Sequence, residues 1–182
     1  ASSHGRIFVV ELMGRDAGWL TLNAGIASGA DAILIPEIPY DLGKVAEMVE
    51  QRKKKGRSFS IVACAEGAVS CTEKVLDEES RRRAREEKRQ IEEMTGFETR
   101  TCVPGHTQRG GSPSPYDRVL ATQFGTAAAE LIINRQYNRM VAIQAGEIVS
   151  IPLEDAASRT KFLPVDHPMI KVARDMGICL GD

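Results

Sequence analysis

Four short apolar runs, each stopping at a glycine or a proline and each set off by helix-forming sequence, constrain the fold of this chain more than any other feature. The runs are Arg6–Leu12, Asp31–Pro36, Ser58–Ala65 and Thr99–Val103. They are rich in β-branched residues and short enough to be buried strands. Their ends are Met13-Gly14-Arg15, Pro36-Glu37, Glu66-Gly67 and Pro104-Gly105. Strands alternating with helices predict an α/β fold with a largely parallel sheet.

The connecting segments carry their own signals. Asp16 is expected to cap a helix starting at Ala17, with Trp19, Leu20, Leu22, Ile26 and Ala27 nearly all round it and Gly29 ending it. Asp41 can cap a second helix whose inner face carries Leu42, Val45, Met48 and Val49. That helix closes on Arg52-Lys53-Lys54-Lys55, where cations suit the helix dipole. Ser70-Cys71-Thr72-Glu73 has the form of a capping box, and a long mixed-charge helix is predicted from it to about Met94. Acids interleave with its Arg81-Arg82-Arg83-Ala84-Arg85 block, the pattern of a solvated face rather than of a nucleic-acid patch. Ser114-Pro115 opens another helix with a stripe of Leu120, Phe124, Ala127, Ala128 and Leu131. Two strands joined through Gly146 follow, then short helices near 153–158 and 169–176.

Composition excludes several classes. The 182 residues carry a net charge of −1, which gives no field for nucleic acid or an anionic membrane. No apolar run reaches the ~20 residues of a membrane helix. Cys64, Cys71, Cys102 and Cys179 form no C-x-x-C pair, so a reducing, cytoplasmic setting without disulfides or zinc is expected. His4, His106 and His167 are too scattered to suggest a metal cluster. The start at Ala1 reads as a cut within a longer protein or a processed terminus.

In open α/β sheets, ligands bind beyond the carboxyl ends of the strands. Arg15, Glu66, and the loop Pro104-Gly105-His106-Thr107-Gln108-Arg109-Gly110-Gly111 all fall there. Arg15 at a helix mouth suits a bound phosphate, or a salt bridge with Asp16. Glu66 can accept hydroxyl hydrogen bonds, act as an acid or base, or simply cap backbone N–H groups. His106 and Arg109 can donate to phosphate. These groups suit a sugar phosphate better than a base, because no aromatic stands in the loops to stack one. There is no G-x-x-x-x-G-K-[ST], no G-x-G-x-x-G after a strand, and no acid pair spaced for Mg²⁺.

These residues carry a resemblance. Val10-Glu11-Leu12-Met13-Gly14-Arg15-Asp16-Ala17-Gly18-Trp19 is similar to the M-G-R segment of the 6-phosphofructokinases, ATP- or pyrophosphate-dependent. Ala65-Glu66-Gly67 resembles their substrate glutamate. Gly105-His106-Thr107-Gln108-Arg109-Gly110-Gly111, followed by Tyr116-Asp117-Arg118, resembles their G-H-x-Q-R-G-G signature. The resemblance implies a three-layer fold with helices on both faces of the sheet. It implies that Met13, Gly14, Arg15, Glu66, His106 and Arg109 hold fructose 6-phosphate, with Arg15 also near the phosphoryl group in transit. It further implies that Arg6 and Arg100 reach a neighbouring subunit's site in a homo-oligomer. Asp31, Lys55 and Arg57 match positions that bind an allosteric nucleotide in bacterial relatives. The family's N-terminal lobe, which holds most contacts to Mg²⁺ with ATP or pyrophosphate and the catalytic base, has no counterpart here. Pro104 stands where many relatives have Leu, and Asp16-Ala17-Gly18-Trp19 looks more like the pyrophosphate branch.

The resulting expectation is the substrate-binding part of a 6-phosphofructokinase, acting in glycolysis and inactive as this chain alone. Residues 1–105 would form the substrate lobe, 106–160 would cross back to the N-terminal lobe, and 161–182 would be a tail with a short helix. The stripe of Leu120, Phe124 and Leu131 would then be exposed or covered by another copy. The alternatives are a non-catalytic sugar-phosphate or nucleotide sensor, and a structural domain whose loops bind nothing.

Overall fold

The computed structural model describes residues 5–71, 91–158 and 160–182. The predicted runs become β1 (Ile7–Leu12), β2 (Ala32–Leu34), β3 (Ser60–Ala65) and β4 (Thr99–Cys102). They form one sheet in the order β2-β3-β1-β4, and every pairing is parallel. Two apolar clusters cover its faces. Ile33, Ile35 and Ala63 join Leu22 of α1 (Trp19–Ser28) on one side. Ala32, Leu34 and Val62 join Val45 and Val49 of α2 (Leu42–Lys54) on the other, with Ile91. Adjacent residues of one strand thus enter opposite clusters, as strand periodicity requires. The result is the three-layer α/β arrangement.

The chain divides into two compact units. The first runs to Gln108 and resumes at Lys161, and the second spans Arg109–Thr160. In the first, the closing segment is part of the core: Leu163, Ile178 and Leu180 are buried with Ile170 and Ala173 of α5 (Pro168–Asp175). Cys179 also accepts the Ile33 N–H and donates to the Asp31 carbonyl. That pairing covers the free side of β2, which would otherwise be an open edge. Trp19 donates its indole N–H to the Lys161 carbonyl at 2.8 Å and stands edge-on to His167.

The second unit holds α3 (Pro115–Ile133), the antiparallel hairpin β5 (Arg139–Gln144) and β6 (Glu147–Pro152), and α4 (Leu153–Ala157). Ser114 caps α3 as predicted, and Asp117 completes a capping box with it. Ala145 and Gly146, with φ of 51° and 89°, make the hairpin turn, where both central residues need positive φ. The stripe of Leu120, Phe124, Ala127, Ala128 and Leu131 is half-buried, on a helix that lies against the hairpin.

Some local expectations need correction. Helix α1 begins at Trp19, not Ala17, and Asp16 does not cap it; the N-cap is Gly18. The reason is a turn over 14–17, closed by the Ala17 N–H donating to the Gly14 carbonyl. Nor is α1 buried all round: Thr21, Leu22 and Gly25 are its buried residues, while Leu20 is 46% exposed. Gly25 permits the close approach, since a β-carbon there would meet Ile33 at 2.5 Å. Asp41 caps α2 as predicted, accepting the Gly43 N–H at 2.7 Å. Residues 91–95 are helical. The capping box completed by Glu73 and most of the mixed-charge stretch lie outside the described residues.

Candidate active site

The site is built where β1 and β3 end side by side. Beyond Leu12 the chain turns sharply. Gly14 has φ of 146°, and a β-carbon there would lie 2.7 Å from the Ala17 carbonyl oxygen. Arg15 follows with φ of 51°, a conformation that costs energy in a residue with a β-carbon. The neighbouring strand holds this turn in place. The Glu66 N–H donates to the Leu12 carbonyl at 2.9 Å, extending the ladder by one rung. The Glu66 carboxylate then reaches across, and its Oε1 accepts the Arg15 N–H at 2.7 Å and the Gly14 N–H at 3.2 Å.

That contact changes the reading of the helix mouth. The backbone donors near α1 are met by protein carboxylates: Gly14 and Arg15 by Glu66, and Gly18 by Glu37 at 3.0 Å. These three amides are thus engaged within the fold. Arg15 does not pair with Asp16. The Arg15 side chain is exposed and, among the described residues, forms no hydrogen bond or ion pair. What the turn offers an anion is the guanidinium. Glu66 holds the turn through Oε1, and among the described residues its Oε2 accepts no hydrogen bond.

The loop after β4 forms a short 3₁₀ turn, Gly105–Arg109. His106 and Arg109 are exposed on it. Gln108 binds it to the end of β1: its Oε1 accepts the Met13 N–H at 3.1 Å. Met13, Gly14, Arg15, Glu66 and Gln108 are thus joined by direct hydrogen bonds, with His106 in the same turn as Gln108. Arg109 ends that turn and opens the second unit.

The other candidate residues lie elsewhere. Arg6 precedes β1, at the opposite end of the strand from Arg15, and six strand residues span about 20 Å. Arg6 and Arg100 both pair with Glu98. The hydrogen bond from Arg6, above all, holds the Glu98 carboxyl below its usual range, with Arg100 adding to it. Asp31 Oδ1 pairs with Arg52 at 2.8 Å, and its Oδ2 accepts the Ile61 N–H at 2.9 Å. That places it in the fold's own bonding. Lys55 is the C-cap of α2, and Arg57 lines a small pocket together with Arg6, Ser58 and Phe97. Asp117, in the segment after the signature, serves its helix cap; the Ser114 hydroxyl lowers its carboxyl from the usual value.

Among the described residues, no three His, Cys, Asp or Glu stand together as a metal site. Magnesium takes oxygen ligands, often one or two carboxylates with water and phosphate; Glu66, the carboxylate bonded to the Arg15 turn, has Oε1 occupied by backbone N–H groups and does not by itself make such a site. No described helix is long and apolar enough to cross a membrane.

Sequence reasoning passed over two residues. Gln108 lay in the loop but had no assigned partner; the missing N–H of Pro104 was the available signal. Glu37 lies in the turn after β2, and its carboxylate accepts the N–H groups of Gly18 and Leu163, the latter at 2.8 Å. Only its place at a strand end could have drawn attention to it.

Fold and site together define an α/β protein with exposed Arg15 and His106 just beyond the carboxyl ends of parallel strands. The family model described as Phosphofructokinase matches residues 1–132, and the chain belongs to that family. It is similar over its whole length to the ATP-dependent 6-phosphofructokinase of Spirochaeta thermophila, at 50% identity, and to ATP-dependent 6-phosphofructokinase 3 of Bacteroides thetaiotaomicron, at 46%. It spans about half of each, 52%. Among solved structures, Saccharomyces cerevisiae phosphofructokinase superposes on 97% of the chain with a TM-score of 0.75 and 33% identity; the match covers 24% of that chain. The pyrophosphate-dependent phosphofructokinase of Nitrosospira multiformis shares the fold, with a TM-score of 0.76 over the whole chain and half of its own.

Proposed function

We propose that this chain supplies the fructose 6-phosphate half of a 6-phosphofructokinase, which transfers a phosphoryl group to the sugar's 1-hydroxyl. The observation that carries the reading is the Glu66–Arg15 arrangement. One carboxylate oxygen holds a strained turn by its backbone, and the Arg15 guanidinium carried on that turn has no protein partner among the described residues. A group held in that state is suited to a ligand anion, because binding requires no internal ion pair to be broken.

In this reading, His106 and Arg109 take the 6-phosphate, and Glu66 Oε2 and the Met13-Gly14 backbone orient the sugar. Arg15 neutralises charge on the group in transit. The work is positioning and charge stabilisation. Relatives at 46–50% identity are named ATP-dependent, which supports ATP over pyrophosphate as donor. The donor, its magnesium and the base belong to the rest of the protein, and this chain alone is inactive. Arg6, at the opposite end of β1 from Arg15, and Arg100 serve a neighbouring subunit's sugar phosphate in a homo-oligomer, the role that the family resemblance implies for them. Residues 106–160 cross to the donor half, which covers Ile132, Ile133 and Tyr137, exposed at 65%, 78% and 66%. Asp31, Lys55 and Arg57 remain the candidates for an effector.

Titrating fructose 6-phosphate against thermal stability of the full-length protein tests the binding role. Saturation at about 100 times Kd stabilises by ~2.7 kcal/mol, a rise of several degrees in Tm. An unmoved midpoint at millimolar sugar phosphate would contradict it.

A further inference from the structure

Strand β4 pairs with β1 in constant register, Ile7 opposite Thr99 through Val10 opposite Cys102. The same offset sets Pro104 opposite Leu12. In a parallel pair, the residue opposite Leu12 would donate its N–H to the Glu11 carbonyl and accept the Met13 N–H through its own carbonyl. Pro104 has no N–H to give. The Glu11 carbonyl therefore loses its donor, and the Pro104 carbonyl, which could still take the Met13 N–H, instead accepts the Thr107 N–H of the 3₁₀ turn at 3.1 Å.

The Gln108 side chain makes both bonds. Its Oε1 accepts the Met13 N–H at 3.1 Å, and its Nε2 donates to the Glu11 carbonyl at 3.4 Å, the weaker of the two. A carboxamide has the same donor and acceptor as a peptide group. Gln108 thus supplies the rung that Pro104 cannot. Because Gln108 lies in the 3₁₀ turn with His106, while Met13 opens the turn that carries Arg15, this rung fixes one turn against the other.

We propose that Gln108 is a positioning residue for the sugar-phosphate site: its side-chain amide completes the β1 ladder and sets the His106 turn in register with the Met13-Gly14-Arg15 turn. The proposal rests on the reading that these turns bind the sugar phosphate. It assigns Gln108 no contact with the ligand.

Two variants of the full-length protein test it, Gln108→Leu and Gln108→Glu. Leu removes both bonds; Glu keeps an acceptor for Met13 but loses the donor to Glu11. The first readout is amide exchange at Met13, which needs no activity. The expected result is at least a ten-fold faster exchange in Gln108→Leu and native-like protection in Gln108→Glu. The second readout is kinetic. The KM for fructose 6-phosphate should rise at least ten-fold in Gln108→Leu, and measurably in Gln108→Glu, while the KM for ATP stays within two-fold. Unchanged Met13 exchange in Gln108→Leu would overturn the proposal. So would an unchanged sugar-phosphate KM, or equal changes in both KM values, which would mark general damage. If Gln108→Leu does not fold, the KM of Gln108→Glu decides by the same criteria. A wild-type protein that does not turn over fructose 6-phosphate would instead overturn the functional reading, leaving Met13 exchange to judge the rung itself.

Discussion

Gly67 packs so closely on the Arg15 carbonyl that a β-carbon on residue 67 would lie 2.1 Å from that oxygen. The obstacle is backbone, so no side-chain rotation relieves it. Glycine at 67 is therefore what allows the Arg15 turn to close against the end of β3, beside the Glu66 carboxylate that bonds it.

Gly67→Ala should accordingly push the Arg15 turn away from Glu66. We expect a loss of about 1–3 kcal/mol, typical of forced overpacking, seen as a lower denaturant midpoint. Fructose 6-phosphate binding should weaken as well. A variant with native stability and native affinity would show that the turn does not need this close approach.

Asp31 is expected to behave as a structural carboxylate even if it also meets an effector. It pairs with Arg52 and accepts the Ile61 N–H, and its side chain is only 11% exposed. Asp31→Ala leaves both partners unsatisfied and should cost about 3 kcal/mol. Urea unfolding checks this; a change below about 0.5 kcal/mol would place the pair among inconsequential surface contacts.

Glu98 sets a pH dependence with a definite sign. Its carboxyl is held below the usual range by the Arg6 hydrogen bond and by Arg100. A depressed carboxyl stabilises the fold at pH above its unfolded value, near about 4.3, and that contribution is lost as pH falls through the lower folded value. The Tm difference between wild type and Glu98→Gln should therefore shrink on acidification below about pH 4.3. A difference that stays constant to about pH 2.5, well below that value, would mean that Glu98 charge contributes nothing.

The four cysteines should separate by reactivity. Cys71 and Cys102 are exposed, whereas Cys64 and Cys179 are half-buried, and burial pushes the Cys179 thiol up. Alkylation of the native protein near about pH 8, followed by peptide mapping, should label Cys71 and Cys102 first. Equal labelling of Cys179 would mean that its segment opens away from β2.

The architecture is readable because β1, β2 and β3 are apolar runs followed by Gly or Pro, and because Asp41 and Ser114 cap where local chemistry says they should. The start of α1 was misread, since Asp16 is a good cap in isolation. The competing turn over 14–17 depends on Gly14 and on Glu66, 51 residues beyond Arg15. Glu66 itself was recognisable as a polar group at a strand end. Its bond to the Arg15 backbone was not, because a carboxylate facing a ligand and one holding a turn look alike in sequence. Gln108 was hidden for a similar reason: its partners, Glu11 and Met13, become adjacent only through the β1–β4 register. The burial of 161–182 was equally opaque, since Leu163, Ile170 and Leu180 are spaced for no single element.

The central claim is that Arg15, held by Glu66, serves phosphoryl transfer to a sugar phosphate. The most direct test follows phosphorus NMR of the full-length protein supplied with fructose 6-phosphate, ATP and magnesium. The expected result is a 1-phosphate signal growing in step with ADP, and a fall in kcat/KM of about 100-fold or more in Arg15→Ala. No 1-phosphate signal from the wild type, or formation undiminished in Arg15→Ala, would contradict it.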